Sequence, residues 1–198
     1  IGTSYMPGAE KKPAVFLDRD GTINVDKHYL HKIEDFEFLP GVPQAIKKLK
    51  KAGYLVIVVT NQSGVARGYF SLDDVTRLHE HMQKQLAAAG TGIDAFYVCP
   101  HHPAKGQGEY LKKCDCRKGR PGLLLQASAD LGIDLQKSYM IGDKLADIEA
   151  GENAGCQPIL VLTGYGQESR HQVDVTRTIV CEDLGAAVDT ILENKKFK

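Results

Sequence analysis

The stretch VFLDRDGTI (Val15–Ile23) decides the reading of this chain. An apolar run passes straight into two aspartates spaced two apart, with an arginine between them and Gly-Thr behind. Side chains two apart on a strand share a face. Asp18 and Asp20 therefore address one site for as long as the strand persists, and Gly21 is where a turn would end it. Two carboxylates about 4 Å apart repel by roughly 4 kcal/mol at an effective dielectric of about 20, and burial without partners adds to that. A divalent cation would relieve both. A helix cap or a turn is the other common use of such a pair, so the rest of the chain has to choose between them.

The pattern around this stretch is regular. Short, nearly continuous apolar runs, AVFLD (14–18), YLVIVVT (54–60), IDAFYVC (93–99), SYMIGD (138–143) and PILVLT (158–163), read as parallel strands covered on both faces. Helical patterns separate them. GVPQAIKKLKKAG stops at Gly53, SLDDVTRLHEHMQKQLAAAG has Ser71 as N-cap with Asp74 three residues on, and PGLLLQASADLG opens at Pro121. KLADIEAGENAG stops at Gly155, and EDLGAAVDTILEN closes the chain. Such alternation predicts an α/β fold with a doubly wound parallel sheet, whose ligands sit at the carboxyl ends of the strands. Four segments break the pattern, 22–38, 61–70, 100–120 and 164–177, each following a strand. Residues 13–198 read as one domain, and 1–12 are expected to be poorly ordered.

Composition narrows the function. Lys plus Arg and Asp plus Glu are 25 each among 198 residues, so the formal net charge is zero. That argues against a nucleic-acid binder, and no apolar run reaches the roughly 20 residues of a membrane span. The clusters Lys47-Lys48, Lys50-Lys51 and Lys195-Lys196 read as solvated surface. Five cysteines, an odd number, and no leader-like pattern point to a reducing cytoplasm and to metal or free thiols.

The strand ends carry the chemistry. MIGDKLAD runs a second strand into Asp143, with Asp147 four residues on; VVTNQSG ends on Thr60 followed by Asn61, Gln62 and Ser63; CRKGRPG places Arg117 and Lys118 before a helix. Carboxylates, a metal, a hydroxyl and a lysine at strand ends suit one task, holding a phosphoryl group while a carboxylate attacks it. Beside this, Cys99-x-His101, twelve residues, then Cys114-x-Cys116 gives four ligands suited to tetrahedral zinc, with His102 as the competing imidazole.

DRDGT, Thr60, Lys118 and GDKLAD, in this order, resemble the four motifs of the haloacid dehalogenase (HAD) superfamily of phosphohydrolases. FLDRDGTIN, TNQSGVARGYF, CPHHP…CDCRK and GDKLADIEAG narrow the resemblance to its histidinol-phosphate and heptose-bisphosphate phosphatases, over about residues 13–165. The resemblance implies a HAD-like Rossmannoid domain, capless or with a minimal cap, and a zinc-binding loop. It implies Mg²⁺-dependent removal of the C7 phosphate of a heptose 1,7-bisphosphate through an aspartyl-phosphate, in ADP- or GDP-heptose biosynthesis for lipopolysaccharide.

In that scheme Asp18 is the nucleophile, Asp20 the acid–base group, and Thr60 and Lys118 neutralise the phosphoryl oxygens. Magnesium is held by Asp18, the Asp20 carbonyl and Asp143, with Lys144 beside it through its backbone or from the next layer, and Asp147 supporting the loop. Structural zinc takes Cys99, Cys114, Cys116 and, by the family pattern, His101. The substrate is met by Asp26, Lys27, His28 and Tyr29, by Asn61, Gln62 and Ser63, and by Arg117, which grips a second phosphate or a sugar hydroxyl. Arg67 is open between substrate contact and loop strut. Asp20 needs local help to hold its proton, because an ordinary Asp ionises near pH 4.

One departure stands out: Lys118-Gly119-Arg120-Pro121-Gly122 replaces the usual Lys-Pro-x-Pro-Gly, so lysine placement is expected to lean on the zinc loop. TGYGQ (163–167) reads as a plain loop, His79 and His81 as surface, and Cys156 and Cys181 as buried apolar groups. The implied partner is a small sugar bisphosphate met by a monomer. A histidinol-phosphate phosphatase is the nearest alternative, a nucleic-acid 3′-phosphatase fits poorly with zero net charge, and a non-enzymatic zinc-loop module would need neither nucleophile nor strand-end lysine.

Overall fold

The computed structural model describes residues 6–196. The chain runs β1 (Ala14–Leu17), α1 (Val42–Lys51), β2 (Leu55–Asn61), α2 (Leu72–Ala88), β3 (Ala95–Cys99), α3 (Gly122–Leu131), β4 (Tyr139–Gly142), α4 (Leu145–Ala154), β5 (Gln157–Val161), a one-turn α5 (Gly166–Ser169), β6 (Ile179–Cys181) and α6 (Leu184–Lys196). All strand pairs are parallel, in the order β3-β2-β1-β4-β5-β6. The five expected strands are present, each within a few residues of its apolar run. The tail after residue 170 supplies a sixth strand and a covering helix.

Alternation along each strand explains why the runs are continuous. Val15, Leu17, Val56, Val58 and Ile141 face a layer of α1, α2 and α6, built on Ile46, Leu49, Met82, Leu86, Val188 and Ile191. Their neighbours Ala14, Phe16, Ile57, Val59 and Met140 face α3 and α4 through Leu123, Leu124, Ala127 and Ala150. A strand with helices on both sides has no solvent face, so neither parity of position needs to be polar. Each fully buried Leu or Ile contributes about 1.5–3 kcal/mol.

Local signals set the element ends. Ser71 and Asp74 form a reciprocal capping box on α2: Asp74 N donates to Ser71 Oγ at 3.1 Å, and Ser71 N donates to Asp74 Oδ2 at 2.9 Å. The lysines of α1 lie on its outer side, with Leu49 and Ile46 inward, as a solvated face requires. Of the segment expected to be poorly ordered, residues 1–5 lie outside the described residues; Lys12 exchanges backbone hydrogen bonds with Gly132 and Asp134. Among the described residues no helix is long and apolar enough to cross a membrane.

Strand order reverses between β1 and β4, which are neighbours although α1, β2, α2, β3 and α3 separate them in sequence. At such a switch point the loops leaving two adjacent strands diverge to opposite sides and leave a crevice. Asp18 follows β1 and Asp143 follows β4, so both carboxylates open into it. The 22–38 segment, after β1, folds on itself through Asn24, which bridges Asp20 on one side and Phe38 on the other. It is a small flap rather than a cap domain.

The start of β1 is tied to β4 by one buried side chain. Ser138 Oγ accepts from Ala14 N at 2.9 Å and donates to the Asp134 carbonyl at 2.6 Å. Ser138→Ala leaves the buried Ala14 N–H without an acceptor and is expected to lower stability by about 1–3 kcal/mol, read as an earlier urea midpoint with an unchanged m-value.

Candidate active site

The loop after β1 is wound tightly around one carbonyl: Thr22, Ile23 and Asn24 all donate their N–H to Arg19 O. Gly21 is left-handed at φ 85°, and a Cβ there would stand 2.2 Å from Asp143 Oδ2. Gly164, from the loop after β5, is equally confined from the other side: a Cβ there would stand 2.2 Å from that oxygen and 2.7 Å from the Gly21 Cα. Thr163 Oγ1 donates to Gly21 O at 2.6 Å and Tyr165 N donates to Asp143 Oδ2 at 2.9 Å. Two loops thus close on one carboxylate, and only glycine lets them meet.

Three carboxylates gather there. Asp18, Asp143 and Asp147 each offer an oxygen within 4.8 Å of the others, and all three are buried. Lys118 neutralises one side: its ammonium donates to Asp18 Oδ1 at 2.6 Å and to the Val59 carbonyl at 2.8 Å, and it pairs with Asp147 Oδ1 at 2.7 Å. Burial alone would lower the Lys118 pKa, but Asp147 and Asp18 outweigh it and hold the amine charged. Asp143 has no such partner. Its Oδ1 is buried without a hydrogen bond, and burial, with Asp18 and Asp147 adding, pushes its pKa up to about 9. Asp147 is raised to about 6, burial first and Asp18 second, against the pull of Lys118. An orphaned buried oxygen among oxygen-only donors is what a hard divalent cation would complete.

Asp20 turns to another group. Arg19 donates to both its oxygens at 3.1 Å, Asn24 at 3.0 Å and Gln62 at 3.1 Å. Burial raises the Asp20 pKa, but the Arg19 charge and these donors outweigh it and leave the carboxyl below its ordinary value. Thr60 Oγ1 accepts from Gln62 Nε2 at 2.8 Å, which leaves the hydroxyl proton as its donor. Asn61 clamps the lysine backbone from both sides, accepting from Lys118 N at 3.0 Å and donating to Lys118 O at 3.3 Å.

The cavity over these groups, about 370 Å³, is bordered by Asp20, Asp26, His28, Tyr29, Asn61, Gln62, Ser63, Arg67, Arg117, Lys118, Lys144 and Tyr165. His28 and Tyr29 are both left-handed, at φ 53° and 58°, a strained conformation for side chains of this size. Asp26 Oδ1 accepts from His28 N at 2.9 Å, and the Arg67 guanidinium lies 5.6 Å over the Tyr29 ring. Lys144 reaches over the ring of Tyr165 at 4.8 Å.

The cysteine loop forms a second cluster. Cys99 Sγ lies 3.7 Å from Cys114 Sγ and 3.7 Å from His101 Nδ1, and Cys116 Sγ lies 3.3 Å from that nitrogen. A tetrahedral zinc with bonds of about 2.3 Å to sulfur sets sulfurs roughly 3.8 Å apart, so these donors fit zinc and are too far apart for a disulfide. His102 faces away and accepts from Ala104 N and Lys105 N at 3.1 and 2.8 Å.

Comparison with known proteins agrees with this geometry. The HAD-hydrolase-like family matches residues 115–187. D-glycero-beta-D-manno-heptose-1,7-bisphosphate 7-phosphatase of Haemophilus ducreyi is 54% identical over 155 residues, covering 77% of this chain and 85% of that protein. The Escherichia coli K12 protein of the same name is 50% identical over 158 residues, covering 79% and 82%. The chain belongs to the heptose-1,7-bisphosphate 7-phosphatase family. The crystal structure of D,D-heptose 1,7-bisphosphate phosphatase from B. bronchiseptica, complexed with magnesium and phosphate, is 37% identical with a TM-score of 0.83, covering 92% of this chain and 99% of that one. The protein is thus a HAD-superfamily phosphatase, a phosphoric monoester hydrolase.

Within this phosphatase most site residues named from the sequence border the cavity or the two clusters, and several details differ. Lys27 is turned away: its ammonium donates to the Asp35 carbonyl at 2.7 Å and pairs with Glu37. The expected help that would keep Asp20 protonated is absent in the resting site, because Arg19, Asn24 and Gln62 all donate to it and favour the carboxylate. Lys144 has both backbone groups hydrogen-bonded to Asp147, its N–H to the side chain at 3.1 Å and its carbonyl to the amide at 3.0 Å. Arg120 lies on the loop's outer side against Asp115 and the Cys114 carbonyl. TGYGQ is no plain loop, since Thr163, Gly164 and Tyr165 all touch the site. His79 is buried rather than at the surface, His81 is half-buried, and Cys181 is half-buried on the edge strand β6.

Sequence reasoning missed Tyr165, Gly164 and the full weight of Asp147. The i+4 spacing of Asp143 and Asp147 across a helix start was the available signal for Asp147; nothing in the sequence tied TGYGQ to Gly21. Gly21→Ala should lose at least about 2 kcal/mol of stability from the forced left-handed alanine, and with it phosphate release, since Asp143 has to move; matched thermal melts and activity assays check both losses.

Proposed function

We propose that the protein removes the C7 phosphate of D-glycero-β-D-manno-heptose 1,7-bisphosphate, with Asp18 as nucleophile, in the making of nucleotide-activated heptose. The observation that carries this reading is Lys118 bridging Asp18 and Asp147 at the floor of a cavity whose rim is mainly cationic. Lys118 holds Asp18 Oδ1, which leaves the other oxygen to attack phosphorus. The bond from phosphorus to the sugar oxygen breaks as the aspartyl-phosphate forms. Thr60 and Lys118 donate to the phosphoryl oxygens as charge shifts onto them.

Asp20 supplies the proton to the departing sugar oxygen and later takes one from the attacking water. A phosphate dianion entering beside Asp20 raises its proton affinity, as any near like charge does; the resting carboxylate is already the form required for the second half. Magnesium, held by Asp18, Asp143 and the Asp20 carbonyl, would add positive charge opposite Lys118. Asp147 fixes Lys118 and the Lys144 amide. Structural zinc on Cys99, His101, Cys114 and Cys116 would pin the loop that carries Arg117 and Lys118.

The rim favours a second anion over a cationic substrate. Arg67, Arg117 and Lys144 outnumber Asp20 and Asp26 among its charged groups, with Lys118 paired to the acids beneath, which disfavours the cationic amino group of histidinol phosphate. Steady-state comparison of the α and β heptose 1,7-bisphosphates, fructose 1,6-bisphosphate and histidinol phosphate, with the remaining phosphate located by ³¹P NMR, tests this. The β-heptose substrate is expected to lead and to keep its C1 phosphate; preference for histidinol phosphate would overturn the assignment.

Two variants probe the chemistry. Asp18→Asn is expected to lower turnover about 10⁴-fold or more with the circular dichroism spectrum unchanged. Cys114→Ser should take zinc, by elemental analysis, well below one per chain. Because Asn61 and the Val59 carbonyl also hold Lys118, its kcat is expected to fall about ten- to hundred-fold rather than vanish.

A further inference from the structure

His79 lies on α2, outside the cavity and outside every motif, yet it is the one histidine buried beside the acid–base apparatus. Its ring stacks on Phe96 with centroids 4.4 Å apart and planes at 16°. Its Nε2 lies 3.3 Å from Arg19 Nη1. A guanidinium only donates, so Nε2 is the acceptor and the ring proton sits on Nδ1. The ring stays neutral: burial first and the Arg19 charge second bring its pKa down to about 3, against the pull of Asp20.

We infer that His79 is a positioning residue for catalysis, holding the Arg19 guanidinium from behind so that its other edge presents two nitrogens to the Asp20 carboxylate. Arg19 is fully buried, and its remaining contacts are Asp20 and the Leu30 carbonyl. A guanidinium is planar, with donors in a fixed fork. Fixing Nη1 therefore fixes the direction in which Nε and Nη2 meet Asp20. Removing the ring acceptor leaves the buried Nη1 without its partner, and the fork is then held on one edge only. Asp20 keeps Asn24, Gln62 and Arg19, but the Arg19 fork that sets its tilt toward the leaving oxygen is free to swing.

The inference rests on Asp20 as the proton donor, and the test separates the two. A sugar alkoxide needs a proton to depart, whereas p-nitrophenolate does not. The value of kcat/KM reports the steps up to leaving-group departure. His79→Leu keeps an apolar side chain against Phe96 and lacks the acceptor. It is expected to lose about ten-fold in kcat/KM on heptose 1,7-bisphosphate and less than about two-fold on p-nitrophenyl phosphate, with KM for the sugar little changed.

His79→Gln, whose amide oxygen stands near the Nε2 position, is expected to restore most of the loss. If His79→Leu fails to fold, His79→Asn, whose shorter amide does not reach Arg19, carries the same comparison against His79→Gln. Asp20→Asn run in parallel should show the same bias toward the nitrophenyl ester. A biased Asp20→Asn beside equal losses on both esters, or no loss, in the His79 variants overturns the role of His79 alone. An unbiased Asp20→Asn overturns the acid reading of Asp20 and the His79 inference with it.

Discussion

One buried ammonium organises this molecule. Lys118 joins carboxylates from a strand end and a helix start, Asp18 after β1 and Asp147 on α4, and it takes the Val59 carbonyl of β2 as well. Three buried acids with one buried lysine leave the cluster short of positive charge, and that shortage is the reason for the site. It makes a cation welcome beside Asp143, and it makes the lysine position exacting. A buried ion pair of this kind is weak evidence for stability, because desolvation offsets much of the attraction. Its value lies in fixing where charge stands when a phosphoryl group arrives.

The lysine is held by two independent supports. The cysteine loop approaches from β3 and carries Lys118 in its descending limb. Asn61, at the end of β2, grips the same residue by its backbone amide and carbonyl. Gly119 in place of proline would leave that limb loose if the loop stood alone. With Asn61 in place, the strand end takes part of the task, and a residue that borders the cavity also braces the site's ammonium.

Most of the architecture was legible because it rests on short-range rules. Continuous Val and Ile runs identify strands covered on both faces, Ser71 with Asp74 marks a helix start, and the order of strand-end motifs places Asp18, Thr60, Lys118 and Asp143 together. The four-ligand loop was legible down to its two candidate imidazoles, and geometry separates His101 from His102. What escaped depends on contacts distant in sequence. Gly164 meets Gly21 across more than a hundred residues of chain. His79 is buried because Arg19 needs an acceptor behind it, a demand invisible from α2 alone. Lys27 sits in a segment read as substrate-facing, but the Asp35 carbonyl and Glu37, eight and ten residues on, draw its ammonium away.

The left-handed turn at His28 and Tyr29 has a consequence for how the enzyme's selectivity can change. The flap of residues 22–38 is tied down through Asn24 and the Leu30 carbonyl and contributes no strand to the sheet, whereas the acids follow β1 and β4 or start α4 and the lysine is braced by β2. Selection can therefore rewrite the flap, trading His28 or Tyr29 for other shapes, without disturbing the charge cage beneath. Strain at two successive residues, of order 1–3 kcal/mol each, is held in place by Asp26 beneath His28 and Arg67 over Tyr29. New substrate preferences in this lineage should arise there first, leaving the cleavage chemistry unaltered.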